Sequence, residues 1–319
     1  MKTVIMDGSA ANPGDISWAP LEQFGQVTAY DVTPADLIVE RCRDAQIVIT
    51  NKTPFTASTL QELPELKYIG VLATGYNVVD IDACRERGIA VTNVPEYSTY
   101  ATAQMAVALL LELTNKVALH SAAVHDGEWV KSEQFCFWKE PVTELLGKKA
   151  AVVGFGKIGR RVAAILSAMG AEVIAVPRVI PQDTSAFPDV QFMTLQQAAS
   201  VADIITFHCP LTPDTAGIIN APLLKSCKEG VLIVNAARGG LAEEADVRAA
   251  LEDGTLGGYA ADVVAAEPML PDNPLLGAPR CILTPHIAWA AKETRVRLID
   301  IAADNIRSFL TGGSLNRIC

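Results

Sequence analysis

Six residues constrain this chain more than any others. The run Gly154-Phe155-Gly156-Lys157-Ile158-Gly159 follows a continuous apolar stretch at residues 150–153 and opens a helical stretch at residues 160–169. In a strand–GxGxxG–helix context each glycine has a separate task. The first allows a tight turn, the second lets backbone approach a pyrophosphate without a Cβ in the way, and the third lets helix and strand pack closely. The helix start then offers unpaired N–H groups and the positive end of its dipole to phosphate. Strands are expected at residues 150–153, 172–176, 204–207, 231–235, 258–262 and 281–283, with helices between them. Six such strands opening on this turn predict a doubly wound dinucleotide-binding domain.

The residues before this series carry a second alternation. Strands are expected at 3–7, 45–50, 67–73 and 89–92, with helices at 34–42 and 80–87, the latter stopped by Gly88. The βαβα rhythm again predicts a parallel sheet covered on both faces. A length of 319 residues fits two domains at roughly 150 residues each. A last helix, at about residues 291–310, is expected to return to the first domain. The predicted fold class is therefore α/β, with two doubly wound parallel-sheet domains and a cleft between them. Residues 99–287 form the Rossmann cofactor domain, and residues 1–98 with 288–319 form a discontinuous, flavodoxin-like substrate domain.

Composition excludes several partners. A net charge of −10 argues against nucleic acid or an anionic membrane. The most apolar helical stretch, residues 101–113, is too short to span a bilayer and carries Gln104 and Glu112. Met1 leads directly into the strand-like residues 3–6, so no secretory leader is expected. The seven cysteines are scattered and form no CxxC pair. Neither a disulfide framework nor a metal site is expected, and a reducing, cytoplasmic compartment fits.

Cofactor choice is read at the end of the strand after the turn. A carboxylate there usually binds the adenosine ribose. This chain instead reads Val176-Pro177-Arg178, and Asp183 lies too far along. A guanidinium suits a 2′-phosphate, so NADP(H) is favoured. The alternative is NAD(H) held by backbone contacts, with Arg178 a solvated loop residue.

Three residues follow successive strand ends, where ligands bind in open α/β sheets. Arg238 lies in Asn235-Ala236-Ala237-Arg238-Gly239-Gly240, Glu267 closes the stretch that begins at Asp262, and His286 lies in Thr284-Pro285-His286. A 2-oxo acid needs a cation for its carboxylate and a proton for its carbonyl oxygen as hydride arrives. Arg238 can be that cation and His286 that acid, with Glu267 as its carboxylate partner. His208, before Cys209-Pro210, also follows a strand. It is read as lining the cofactor site or bonding locally, and as a second candidate acid. His120 and His125 lie in a polar helical segment and are read as surface residues.

Together these motifs resemble the D-isomer-specific 2-hydroxyacid dehydrogenases, most clearly over residues 70–294. The parts are GFGKIG, HCPLTPDT from His208, NAARGG, the Asp262 to Glu267-Pro268 stretch and PHIAWA from Pro285. The resemblance implies that Arg238 binds and polarises substrate, that His286 is the general acid/base, and that Glu267 orients His286 and raises its pKa. It implies that the backbone of Ala73, Thr74 and Gly75 holds the substrate carboxylate, with Trp289 at the substrate. It also implies cofactor contacts from Gly154, Phe155, Gly156, Lys157, Ile158, Gly159, Arg178, His208, Pro210, Ala236, Ala237, Arg238, His286 and Ala288, and from Asp262 facing the carboxamide. A homodimer through the cofactor domains, carried largely by the helix at 101–113, is implied too. Within the family, Thr74-Gly75-Tyr76-Asn77, Tyr97-Ser98-Thr99 with Gln104, Phe135-Cys136-Phe137-Trp138 and Trp289 resemble the glycerate dehydrogenase/hydroxypyruvate reductase branch. Hydroxypyruvate or glyoxylate is then the expected substrate. A D-lactate-like or bulkier acid, or a dinucleotide-sensing scaffold akin to corepressors, is the alternative. Pro177 departs from the usual Asp, and Ala236 stands where Thr is frequent.

Overall fold

A computed structural model describes all 319 residues. Two compact units partition the chain, Met1–Ser98 with Trp289–Cys319, and Thr99–Ala288.

The first unit is a five-stranded parallel sheet. Its strands are β1 (Lys2–Ile5), β2 (Gln26–Ala29), β3 (Ile47–Thr50), β4 (Tyr68–Val71) and β5 (Ala90–Thr92), in the order β2-β1-β3-β4-β5. That is the flavodoxin-like order. Because side chains alternate across a strand, the β-branched runs feed two cores. Val4, Met6, Val48, Ile69 and Val71 pack on one face, and Ile5, Ile47, Ile49 and Tyr68 on the other. The second face is covered by the last helix, Lys292–Leu310, through Leu298, Ile299, Ala302 and Ile306. The sequence pattern did not show β2. Its residues are half-buried at most, as befits an edge strand. The helix expected over 34–42 is shorter, a 3-10 turn at Ala35–Leu37 running into Ile38–Cys42.

The second unit is a seven-stranded parallel sheet, where six strands were expected. Its strands are β6 (Lys149–Val153), β7 (Glu172–Val176), β8 (Gln191–Phe192), β9 (Ile204–Phe207), β10 (Val231–Asn235), β11 (Leu256–Ala261) and β12 (Cys281–Leu283). The order is β12-β11-β10-β9-β6-β7-β8. The added strand, β8, is a two-residue edge strand. Strand order reverses between β6 and β9, which places a topological switch point beyond their carboxyl ends. Ala151, Val153, Ile205, Phe207 and Ile233 pack on one face. Ala150, Val152, Ile204 and Val234 pack on the other, beneath the helix Thr99–Asn115.

No single helix is long and apolar enough to cross a membrane.

Candidate active site

The glycine turn is built as its spacing requires. Gly154 has φ +90°, and a Cβ there would lie 2.5 Å from the Cys209 nitrogen and 2.6 Å from the His208 carbonyl carbon. The turn thus presses against the exit of β9, at the switch point. A Cβ on Gly159 would lie 2.1 Å from the Gly154 oxygen, which explains why helix and strand can pack there. At Gly156 a Cβ would meet nothing within 4 Å. Gly156 also caps the helix Lys157–Ala168 without a side-chain hydrogen bond. The first-turn N–H groups of Ile158 and Gly159 belong to a helix start whose N-cap residue, Gly156, supplies no capping side chain. Open space beside these donors fits the pyrophosphate of a dinucleotide. Phe155 is buried edge-on against Phe187 and Phe192, at 5.2 and 5.6 Å between centroids. Its carbonyl accepts from Arg160 Nε at 3.1 Å, which braces the turn.

Arg178, at the end of β7, is almost fully exposed and lies 3.6 Å from Asp214. Pro210 is exposed and Ala236 is buried. His208 shares a 2.8 Å hydrogen bond with the Thr206 hydroxyl through Nε2. The residue keeps some surface, but its Nδ1 is shielded from solvent and has no partner. Burial pushes its pKa down to about 4, because a low-dielectric site disfavours the imidazolium. A neutral imidazole is a far weaker acid than an imidazolium, which weakens His208 as the general acid.

The chemistry-bearing residues sit on three neighbouring loops of the second unit. After β10, Asn235 ties its own loop: its Nδ2–H donates to the Arg238 carbonyl at 2.9 Å, and its Oδ1 accepts from Ala237 N–H at 3.1 Å. Arg238 is exposed, its Nη1 turned back on the Ala237 carbonyl at 2.7 Å. Gly239 lets this loop touch the next. A Cβ there would lie 1.9 Å from the Val264 carbonyl atoms. The Val264 loop carries Glu267, whose Oε1 accepts from Val264 N–H at 3.3 Å and whose Oε2 is 2.7 Å from His286 Nδ1. His286 takes a left-handed φ of +55°. With Nδ1 engaged by a carboxylate, Nε2 is the nitrogen left to exchange a proton.

Asp262, at the exit of β11, is buried and holds the His286 loop. Its Oδ1 accepts from the Thr284 hydroxyl at 2.6 Å and Ile287 N–H at 2.9 Å, and its Oδ2 from Ala288 N–H at 2.7 Å. Three of about four acceptor positions on the carboxylate are taken, so it is first a brace for the His286 loop. The same bond keeps Ala288 with the second unit, one residue beyond the boundary expected from sequence. In the first unit, Ala73 is half-buried, while Thr74 and Gly75 are exposed. Trp289 stacks edge-on with Tyr97 at 6.4 Å. Sequence reasoning passed over Asn235, Gly239 and Asp7, whose carboxylate accepts three backbone N–H groups. The doubled glycine after Arg238 was the available signal for the loop contact. His120 is not a plain surface residue, since its ring bonds the Lys116 carbonyl and Lys139 N–H at 2.8 and 3.1 Å.

Residues 107–288 match the family described as D-isomer specific 2-hydroxyacid dehydrogenase, NAD binding domain. The chain belongs to that family. It is 42% identical over 319 residues to a hydroxypyruvate reductase of Blautia hydrogenotrophica, covering 99% of each chain. It is 40% identical over 286 residues to a glycerate dehydrogenase of Methylorubrum extorquens, covering 89% of this chain and 88% of the other. Among solved structures, an acyclic imino acid reductase in complex with NADPH and D-Arg superposes with a TM-score of 0.85 at 25% identity, over all of both chains. This 2-hydroxyacid dehydrogenase is thus an oxidoreductase that uses a nicotinamide cofactor, with the two parallel-sheet units of its family.

Proposed function

We propose that the chain reduces hydroxypyruvate to D-glycerate, with glyoxylate as a second substrate, and takes NADPH in preference to NADH. The observation that carries this reading is the 2.7 Å contact between His286 Nδ1 and Glu267 Oε2. It leaves one imidazole nitrogen free on a loop braced by Asp262. The names of the two relatives support the substrate, and the absence of a carboxylate after β7 supports the cofactor.

When bound, the dinucleotide supplies hydride to C2 of the 2-oxo acid. Arg238 holds the substrate carboxylate and carbonyl oxygens through its planar guanidinium. The N–H groups of residues 73–75 take the carboxylate as well. His286 Nε2–H gives its proton to the carbonyl oxygen as negative charge develops there, and Glu267 keeps the ring oriented through Nδ1. The first-turn N–H groups after Gly156 hold the pyrophosphate, and Arg178 faces the adenosine ribose. On this reading Met1–Ser98 with Trp289–Cys319 is the substrate domain and Thr99–Ala288 the cofactor domain.

A homodimer through the second unit also belongs to this reading. A mostly apolar groove beside the helices Thr99–Asn115 and Lys157–Ala168 is lined by Tyr100, Val107, Leu111 and Ile165, with Gln104 and Arg161. Trp129, Val130, Phe135 and Trp138 are also exposed in the same unit, and exposed apolar side chains of this size are common at subunit contacts. Seven free cysteines fit a cytoplasmic setting.

The test is the initial rate of NADPH and NADH oxidation by the purified protein with hydroxypyruvate, glyoxylate and pyruvate. The expected order is hydroxypyruvate first, and NADPH over NADH. Turnover of pyruvate alone would move the assignment to a D-lactate-like acid. Tight dinucleotide binding without turnover of any of the three would leave a sensing scaffold.

A further inference from the structure

The exposed loop at residues 73–75 is gripped from beneath by two residues that follow β5. Asn93 Nδ2–H donates to the Thr74 carbonyl at 2.7 Å. Val94 N–H donates to the Ala73 carbonyl at 3.0 Å, and the Thr74 hydroxyl donates to the Val94 carbonyl at 3.1 Å. These bonds do more than fasten the loop. A trans peptide plane points its C=O and the following N–H in opposite directions. Holding the Ala73 and Thr74 carbonyls therefore aims the N–H groups of Thr74 and Gly75 the other way. Neither of those N–H groups donates to a protein acceptor.

Asn93 is itself held. Asn305 Nδ2–H, from the last helix, donates to the Asn93 carbonyl at 2.9 Å, and Asn316 Nδ2–H donates to Asn305 Oδ1 at 2.9 Å. Asn93 N–H returns a bond to the Asn316 carbonyl at 3.3 Å. Asn305 is only 1% exposed, among Ala302, Ala303 and Ile306. An amide in such surroundings is costly unless it is hydrogen-bonded, and an aliphatic residue would suit the packing better. What the amide adds is a fixed position for Asn93.

We propose that Asn93, backed by Asn305, is a positioning residue that aims the Thr74 and Gly75 N–H groups at the substrate carboxylate. The proposal rests on the reading that residues 73–75 hold that carboxylate.

The experiment is steady-state kinetics of the full-length Asn93→Ala and Asn305→Ala variants with hydroxypyruvate and NADPH, alongside NADPH binding and thermal melting. Asn93→Ala is expected to raise KM for hydroxypyruvate about tenfold, the scale of losing one partner of a buried hydrogen bond. Its kcat should fall less than about threefold, with NADPH affinity unchanged; Asn305→Ala should shift KM the same way by about twofold, since it acts one bond further back. An unchanged KM in folded Asn93→Ala overturns the proposal, as does a parallel rise in KM and in the NADPH Kd. If Asn93→Ala does not fold, Asn305→Ala, which removes no atom touching the loop, decides alone. Hydrogen exchange of the peptide spanning residues 72–77 separates the underlying reading. Oxamate with NADPH should slow exchange there in the wild-type protein. No protection would overturn the carboxylate reading and the proposal with it. Protection together with an unchanged KM in the variants would overturn only the role of Asn93.

Discussion

Both units are doubly wound parallel sheets with different strand orders, and they treat the switch point in opposite ways. In the second unit β6 and β9 part at the switch point, and the space beyond Gly156 is open above an uncapped helix start. In the first unit β1 and β3 part at the corresponding place, but the backbone donors there already have an anion. Asp7 follows β1, and its carboxylate accepts from the N–H groups of Asn51, Lys52 and Thr53 at 2.8, 2.5 and 2.8 Å. Clustered backbone N–H groups attract negative charge wherever they occur. One sheet leaves that attraction for a ligand, and the other satisfies it with a side chain of its own. The difference lies just past the first strand of each sheet, where one unit has glycines and the other an aspartate. In the first unit, unpaired N–H groups lie instead past β4, at Thr74 and Gly75.

The largest effect expected concerns the strand ends of the second unit. His286→Ala should lower kcat by about 10²–10⁴-fold, the usual contribution of a general acid, with dinucleotide affinity nearly unchanged. Near-normal turnover would remove the chemistry from this loop. Gly156→Ala tests the open switch point directly. A Cβ there meets no protein atom within 4 Å, so melting of the ligand-free protein should stay the same. Dinucleotide affinity should fall about 10–100-fold, because the side chain displaces phosphate from charge-assisted donors. A variant that binds normally would mean the pyrophosphate lies elsewhere.

Asp7→Ala is the mirror of that experiment. It should cost about 2 kcal/mol of stability, since hydrogen bonds to a charged group are the stronger ones, while leaving the dinucleotide Kd where it was. If added phosphate or sulfate restored part of the loss, the two switch points would differ only in the source of their anion. If Asp7→Ala melted like the wild type, the closed crevice would contribute nothing to the fold.

Legibility followed burial. Strands β7, β9 and β10 were readable to the residue, and β6 nearly so, because a strand buried on both faces spells a continuous apolar run. The half-buried edge strand β12 was also read to the residue, from its apolar Cys281-Ile282-Leu283. The half-exposed β2 and the two-residue β8 carry no such pattern. β11 begins two residues earlier than its composition suggested. Gly257 and Gly258 hide its start, and a Cβ on them would strike the Gly230 carbonyl oxygen at 2.3 Å and the Leu113 side chain at 2.9 Å. At the site, residue types and their strand-end positions were visible, but not their joints. Nothing in one sequence states that Gly239 presses on Val264, or that Asp262 spends most of its acceptors on the His286 loop. Those are facts of distance between segments far apart in the chain. The exposed Arg178 shows the complementary limit, since a solvated side chain takes its meaning from what arrives.

That side chain gives the smallest effect and the finest distinction. Arg178 and Asp214 are 89% and 78% exposed at 3.6 Å, so their mutual attraction is worth little to stability. Their effect on a 2′-phosphate differs, because two like charges would compete for one guanidinium. Arg178→Ala should weaken NADPH about tenfold and NADH hardly at all, the difference one charge-assisted contact makes. Asp214→Asn should act with the opposite sign. Removing its carboxylate frees the guanidinium and withdraws a repelling charge, so NADPH should bind about twofold tighter, again with NADH unaffected. Both effects should fade as salt is raised from low to physiological strength, since exposed charges are screened. If the two substitutions shift NADPH and NADH equally, Arg178 is a solvated residue and the cofactor end of the second switch point reads only the backbone.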